Sequence, residues 1–369
     1  MSNGSPAQGQ NPPMAPWLQT QLRGLLAQRG HAWLLSGPSG LGQFELALAL
    51  ARAWLCEQPT DQGACGACGS CHAVDVHTHA DLCLLMPETL SLALGWPLDE
   101  KTQDELDSKK RKPSKEIKVD AAREAVAFTQ FTRSRGNTKV VLVYPAERMN
   151  AITANTLLKT LEEPPGAVKF ILATEAAHQL LPTIRSRCQG HTMHWPAFDH
   201  ALTWLAEQVK AEGKSGTAPA AADLHTLLAA AGGRPADALE RLQAGLSREA
   251  AQHWQALPKA VARGDVSAMA DWAPAQAVDA LQKLCHDVLA VKAGAQPRFF
   301  SARDLPLQPA DDRAGKGKGA GSGSGPGFLA LAAWSKELAA SARTVEHPYN
   351  PGLMLESLVS RARLALNSK

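Results

Sequence analysis

The chain has 369 residues, a formal net charge of +3, 45% hydrophobic residues and 20% charged residues. This length accommodates two or three domains with cores of their own, and the composition is that of an ordinary globular protein. So small a charge does not by itself indicate binding to nucleic acid or membrane, and no apolar run reaches the roughly 20 residues of a membrane-spanning helix.

The amino-terminal segment 1–15 is polar and rich in Pro and Gly. It lacks the basic region followed by an apolar region that is typical of a secretory signal. We therefore expect 1–15 to be a disordered tail and the protein to be cytoplasmic.

Residues 16–197 alternate short apolar runs with helical patterns. Strands are predicted at 31–36, 82–86, 139–143, 168–173 and 191–195, and helices at about 17–29, 44–56, 119–131, 151–162 and 178–184. This alternation predicts an α/β domain in which helices cover a mostly parallel sheet.

A glycine-rich segment, Gly-Pro-Ser-Gly-Leu-Gly-Gln-Phe at 37–44, joins the first predicted strand to a helix. Gly37 and Gly42 match the glycines of a phosphate-binding loop, G-x-x-x-x-G-K-[ST]. Gln43 and Phe44 stand where that loop has Lys and Ser or Thr, so both the charge for phosphate and the hydroxyl for Mg²⁺ are missing. The alternative interpretation is an ordinary glycine turn.

Four cysteines follow the next helix with the spacing C-x8-C-x2-C-x2-C. They are Cys56, Cys65, Cys68 and Cys71. In a reducing compartment such thiols do not form disulfides, and four thiolates complete a closed tetrahedral zinc site. Gly63, Gly66 and Gly69 give the backbone freedom to wrap a metal. We predict a structural zinc module over 56–71, with four unrelated thiols as the alternative.

A polar segment at 88–116 contains the basic run Lys-Lys-Arg-Lys at 109–112. A solvated surface insertion is the favoured interpretation and a nucleic-acid contact is the alternative. After residue 197 only helical patterns remain, which predicts a small helical domain at 198–245 and a larger one at 246–369. The Gly-rich stretch 314–327 is expected to be a flexible loop.

Several motifs together resemble one family. They are the cysteine cluster placed after the glycine-loop helix and the segments 117–123, 157–165 (LLKTLEEPP), 170–174 (FILAT), 184–188 (IRSRC) and 346–356. In order and spacing they resemble the delta prime subunits of bacterial DNA polymerase III clamp loaders, members of the AAA+ superfamily. The resemblance covers most of 16–245 and is fainter beyond.

The resemblance implies an AAA+ α/β core with a structural zinc module, an all-α lid at 198–245 and an all-α collar domain at 246–369. It also implies a place beside gamma/tau and delta subunits in a ring that loads the sliding clamp onto primer-template DNA during replication, as part of a complex with DNA-directed DNA polymerase activity. No membrane partner is expected. Arg187 matches the arginine that such subunits present to ATP bound by a neighbouring subunit, and Arg185 is a weaker candidate. The alternative for Arg187 is a surface salt bridge.

Two further departures from hydrolysing relatives are implied. Tyr144 and Pro145 replace the Asp-Glu pair that serves Mg²⁺ and water, and Ala236 replaces an arginine of the lid, with Arg234 on another helix face. We therefore expect no bound ATP, no intrinsic ATPase and a subunit that braces the ring. The alternatives are an active AAA+ ATPase with a non-standard loop and a zinc-containing DNA-binding protein. The first lacks an evident replacement lysine or metal ligand, and the cysteine loop is poor in the basic and aromatic residues that the second needs.

Overall fold

The computed structural model describes residues 14–211, 220–243, 248–307, 326–345 and 350–368. The chain divides into two compact units, Met1–Pro196 and Ala197–Lys369. Residues 1–13 of the predicted tail, 314–325 of the Gly-rich loop and 346–349 of the last motif lie outside the described residues. None of the described helices is long and apolar enough to cross a membrane.

The first unit is built on a five-stranded sheet. Its strands are β1 (Ala32–Ser36), β2 (Leu82–Leu85), β3 (Lys139–Val143), β4 (Val168–Thr174) and β5 (Gln189–Thr192). They lie in the order β2-β3-β4-β1-β5, and every neighbouring pair is parallel. The predicted parallel α/β sheet is confirmed.

The inner strand β3, which lies between β2 and β4, shows why this sheet forms. All five of its residues are buried, as expected for a parallel strand covered on both faces. Its one charged residue, Lys139, is 4% exposed. Its ammonium donates hydrogen bonds to the carbonyls of Phe128 and Phe131 at 2.9 and 3.2 Å, so burial leaves no cation unsatisfied.

Eight α-helices accompany the sheet. They are α1 (Pro16–Leu26), α2 (Gln43–Leu55), α3 (Gly69–Asp75), α4 (Glu88–Ala93), α5 (Glu100–Asp107), α6 (Val119–Gln130), α7 (Ala151–Glu162) and α8 (Pro182–Arg185). Short 3-10 turns cover Ala146–Arg148 and Ala177–Gln179.

Two sequence predictions need correction at the end of this unit. The helix expected at 178–184 is split, because Leu181 is extended before Pro182, which begins α8. Strand β5 spans 189–192 rather than 191–195. Its start is set by pairing with β1, Trp33 opposite Gln189, and not by its own hydrophobicity.

The second unit contains only helices among its described elements. They are α9 (Phe198–Ala211), α10 (Ala221–Ala230), α11 (Pro235–Gln243), α12 (Arg248–Arg263), α13 (Pro274–Lys292), α14 (Phe328–Thr344) and α15 (Pro351–Leu366), with a 3-10 turn at Ser267–Met269. One apolar cluster joins α9, α10 and α11, and a larger one joins α12 to α15. The buried carboxylate of Asp287 fixes the segment after α13 by accepting the backbone N–H groups of Arg298, Phe299 and Phe300 at 2.7–2.9 Å.

Candidate functional sites at the two edges of the sheet

The glycine loop connects the carboxyl end of β1 to the start of α2. Gly42 has a φ of 85°, in the left-handed region. A Cβ atom there would lie 2.7 Å from Leu18 Cδ1. Both facts require glycine, so the loop has the tight backbone of a phosphate-binding loop.

The side chain of Gln43 forms hydrogen bonds within this loop. That side chain is 2% exposed, and Nε2 donates to the carbonyl oxygens of Gly37 at 2.8 Å and Pro38 at 2.6 Å. A lysine at this position would extend a charge toward a phosphate. The neutral amide of Gln43 instead satisfies two carbonyls within the turn.

Phe44 packs against Tyr144, which follows the carboxyl end of β3. The two ring centroids are 5.2 Å apart with an interplanar angle of 31°, and Tyr144 Oη donates to Glu175 Oε1 at 3.2 Å. Burial, and then the nearby carboxylate of Glu175, raise the pKa of Tyr144 above its usual value. The phenol therefore stays protonated, and this pair offers no ligand of the kind that Mg²⁺ prefers.

Acidic side chains surround the same edge. The negative charges of Glu175, Glu147 and Glu45 all act on Tyr144. Glu147 accepts the Thr174 hydroxyl at 2.6 Å through Oε2 and the Glu175 N–H at 3.2 Å through Oε1. Both of its oxygens are thus used to hold the end of β4. Glu45 is exposed at its surface, but partial desolvation by the surrounding protein raises its pKa. Ionised carboxylates at this edge oppose the approach of a polyanion such as a nucleotide triphosphate.

The four predicted cysteines come together between the end of α2 and the start of β2. Their sulfur atoms all lie within 4.8 Å of one another. The separations are 3.8 Å for Cys56 and Cys68, 4.0 Å for Cys65 and Cys71, and 3.7 Å for Cys56 and Cys71. Four thiolates at about 2.3 Å from one Zn²⁺ form a tetrahedron with edges of about 3.8 Å. The donor set and its spacing fit that ion.

Local structure explains this convergence. Cys56 follows the last residue of α2. The chain then reverses in a tight turn, in which the backbone groups of Thr60 and Gly63 are paired. Cys68 caps the start of α3, where its Sγ accepts the N–H of Cys71 at 3.4 Å. Cys56 Sγ also accepts the N–H of Cys65 at 3.3 Å. N–H groups directed at sulfur stabilise thiolate charge.

The glycines between the cysteines do not all contribute as predicted. Gly63 and Gly66 have φ values of 122° and 77°, so both need the freedom of glycine. The expectation for Gly69 is wrong. It lies in the first turn of α3 with no positive φ, and a Cβ there would meet the flexible side chain of Arg135.

The cysteines outside the cluster are inert packing residues. Cys83 and Cys188 pack against the core of the first unit, and Cys285 is 2% exposed in the second. Burial raises the pKa of Cys83 and of Cys188 to about 12 and that of Cys285 to about 11. Raised pKa values keep these thiols protonated, and a protonated thiol is a poor nucleophile.

Arg187 lies between α8 and β5. Its Nη2 pairs with Glu162 Oε1 at 2.5 Å, and Nη1 donates to the carbonyl of Thr183 at 2.9 Å. The side chain is 28% exposed and that of Glu162 is 52% exposed. The residue is therefore a surface cation held in one orientation by its own chain.

The glycine loop and Arg187 occupy opposite edges of the sheet. In a parallel sheet all strands run the same way, so their carboxyl ends share one edge and their amino ends share the other. The glycine loop follows β1 and therefore lies at the carboxyl edge. Arg187 precedes β5 and therefore lies at the amino edge. Because Trp33 is opposite Gln189, at least four strand residues, about 13 Å, separate the two along the strand direction. Arg187 cannot serve its own glycine loop without a large rearrangement.

The basic run at 109–112 is only partly a solvated surface. Arg111 lies in the turn after α5. It forms ion pairs with Glu88, the first residue of α4, at 2.5 Å and with Glu105 of α5 at 2.8 Å. Burial acts to raise the pKa of Glu88, but hydrogen bonds from Arg111 and then Lys118 outweigh it and hold that pKa at about 2. Arg111 is thus a structural cation. Lys109, Lys110 and Lys112 are exposed.

In the second unit, Arg234 is held near the start of α11. Its Nε donates to the Ala231 carbonyl at 2.8 Å and pairs with Asp237 at 2.9 Å. Ala236 carries no group that could contact phosphate. The guanidinium of Arg234 is therefore held by its own chain.

Residues 17–196 match the family model described as "DNA polymerase III, delta subunit". The chain is 38% identical over 240 residues to DNA polymerase III subunit delta' of Pseudomonas aeruginosa and 36% identical over 199 residues to that of Escherichia coli. The resemblance to delta prime subunits is confirmed.

The extent of these matches is limited. They take in 64% and 53% of this chain, and the chain spans 64% and 53% of the length of the two relatives. A solved structure of a gamma subunit-related protein of Thermotoga maritima aligns with 95% of this chain and 99% of its own, at 18% identity and a TM-score of 0.45. This score is too low to establish that the two whole chains share one fold.

Sequence reasoning missed the residues that surround the two sites. Glu162, which precedes Pro164 at the end of α7, pairs with Arg187. The carboxylates of Glu45, Glu147 and Glu175 converge on Tyr144 from three separate segments. Only the position of Glu162 within the LLKTLEEPP motif offered a signal in the sequence.

Proposed function

We propose that this chain is a non-hydrolysing delta prime subunit of a clamp loader. It would stand in a ring with gamma/tau ATPase subunits and a delta subunit, which together place a sliding clamp on primer-template DNA. Relatives named delta' support this, and so does a tau subunit of Escherichia coli that is 33% identical over 158 residues.

The observation that carries the proposal is the contrast between the two edges of one sheet. The carboxyl edge, where such a subunit would bind its own nucleotide, has Gln43 bonded back into the loop and Phe44 packed on Tyr144. The amino edge presents Arg187, out of reach of that loop. An arginine that serves no site on its own chain suits a role at a neighbouring subunit's phosphate, where its planar fork binds two oxygens at once.

The cysteine cluster takes a structural part in this proposal. Zn²⁺ held by Cys56, Cys65, Cys68 and Cys71 would have no open coordination position, so it would fix the segment between α2 and β2 rather than act on a substrate. The all-α regions 198–245 and 246–369 would serve as lid and collar of an AAA+ subunit.

The two alternatives are less well supported. An active ATPase needs a cation on the phosphates in place of the missing lysine, but Gln43 is neutral and donates its amide hydrogens to carbonyls of its own loop. A zinc-containing DNA-binding protein needs basic and aromatic residues on its zinc module, and residues 56–71 contain none of either.

The test uses the full chain from its own organism. The chain, tagged and purified from native cells, is expected to bring gamma/tau and delta subunits with it, and the chain alone is expected to hydrolyse no ATP. Recovery without clamp-loader subunits would overturn the proposed partners. Hydrolysis by the lone chain that is lost in a Gly42→Val variant would establish the ATPase alternative instead.

A further inference from the structure

Arg187 is fixed by acceptors on two different elements. Glu162 is the last residue of α7, and Thr183 lies in α8. Each acceptor takes one N–H from a different terminal nitrogen of the guanidinium. The third nitrogen, Nε, is enclosed and donates to none of the described residues. Two acceptors on a planar group define its plane, and each terminal nitrogen carries a second hydrogen for a further acceptor.

Resting on the proposed function, we infer that Glu162 is a positioning residue that sets the direction in which Arg187 presents its guanidinium to the neighbouring subunit's phosphate. An unanchored arginine has several rotatable bonds and loses that freedom on reaching its target. If Glu162 anchors the arginine beforehand, this conformational entropy is not lost during the reaction. The guanidinium also stays in the productive orientation.

The exposure of the pair supports orientation rather than stability as its role. With Glu162 half exposed and Arg187 more than a quarter exposed, the ion pair is screened by water and contributes little to the folded state. The carboxyl end of α7 also carries partial negative charge, which favours a cation at this place. Pro164, two residues on, stops the helix, so the carboxylate stays at that end.

The experiment measures ATP turnover by the reconstituted clamp loader, assembled from the subunits of the same organism with sliding clamp and primed DNA. Four variants of this chain are compared: Arg187→Ala, Glu162→Ala, Glu162→Gln and, as the matched control, Glu163→Ala. Glu163 is the adjacent exposed carboxylate and is not a partner of Arg187.

Glu162→Ala is expected to lower kcat about two- to fivefold, the range set by an exposed ion pair, with KM for ATP unchanged. Glu162→Gln is expected to recover part of this loss, because its amide oxygen accepts the same N–H. Glu163→Ala should match the wild type. The double variant Glu162→Ala/Arg187→Ala should be no slower than Arg187→Ala, because the glutamate acts only through the arginine.

The outcomes separate the two claims. If Arg187→Ala leaves turnover unchanged, the role of Arg187 in the proposed function is wrong. If Arg187→Ala lowers turnover while Glu162→Ala is as fast as the wild type or faster, that role stands and the positioning role of Glu162 is overturned. The positioning role would also be overturned if Glu163→Ala lowered turnover as much as Glu162→Ala does. The same holds if the double variant were slower than Arg187→Ala by the full loss seen in Glu162→Ala. Glu162→Gln keeps the test available if Glu162→Ala fails to assemble.

Discussion

The two edges of the parallel sheet have opposite characters. At the carboxyl edge, polar groups are directed at one another: Gln43 bonds to its own loop, Tyr144 to Glu175, and Glu147 to Thr174. At the amino edge, the cysteine cluster and Arg187 retain groups suited to a metal and to a phosphate. Under the proposed function, the same sheet would carry one edge that binds no nucleotide of its own and an opposite edge with groups for a metal and for a neighbour's phosphate.

Loss of zinc is expected to give the largest effect, at the amino edge. The free energy of zinc binding in such sites is on the order of 10 kcal/mol and adds to folding. Freshly purified protein should contain one Zn²⁺ per chain, and Cys68→Ala should release it and expose the amides of 56–80 to hydrogen exchange while sparing the sheet. Cys188→Ala is the control that keeps the metal. Elemental analysis showing no zinc in the wild type would contradict the assignment.

Arg187→Ala is expected to give the next largest effect, seen only in the assembled complex. Neighbouring-subunit ATP turnover and clamp loading should fall by a factor of about 10³, the lower range for a supplied arginine, and Arg187→Lys should not restore them. The free energy of unfolding of the lone chain should change by less than about 0.5 kcal/mol. Arg23→Ala, which removes an exposed arginine of α1, is the control. Clamp loading at the wild-type rate by the Arg187→Ala complex would show that the arginine has only a structural contact.

At the carboxyl edge, the pair Glu88–Arg111 is expected to matter for stability alone. Arg111→Ala should lower the free energy of unfolding by about 2 kcal/mol, because Glu88 is left buried with fewer partners, while Lys110→Ala should have almost no effect. The folded pKa of Glu88 is about 2 against an ordinary value of 4.5, so its contribution is present above about pH 5 and is lost as the pH falls toward 2. Urea unfolding at pH 7 and pH 3 should show a smaller acid loss in Arg111→Ala. Equal results for the two variants would refute this role.

The smallest effect is expected from restoring the missing lysine. Gln43→Lys should strengthen Mg·ATP binding by less than about tenfold, because Phe44 still offers no hydroxyl and the carboxylates around Tyr144 remain. Calorimetric titration of the wild type and the variant measures this directly. Micromolar binding by either protein would show that the carboxyl edge is still a nucleotide site.

The sequence was sufficient for features that depend on neighbours along the chain. The parallel sheet followed from alternating patterns, and the convergence of Cys56, Cys65, Cys68 and Cys71 followed from their spacing. Edge strand β5 was misplaced because its residues, Gln189–Thr192, are polar and owe their conformation to pairing with β1. Contacts between residues that are distant along the chain could not be predicted either. Glu162 and Arg187 are 25 positions apart, and no local pattern assigns one to the other.

Gln43 belongs to a set of side chains that depend on one another. Its amide satisfies the carbonyls of Gly37 and Pro38, while Phe44 and Tyr144 pack together. A substitution at any one of these positions therefore removes a partner from another. Under the proposed function, single substitutions at this edge are expected to disturb local packing without producing an ATPase, so several coordinated changes would be needed to build a hydrolytic site here.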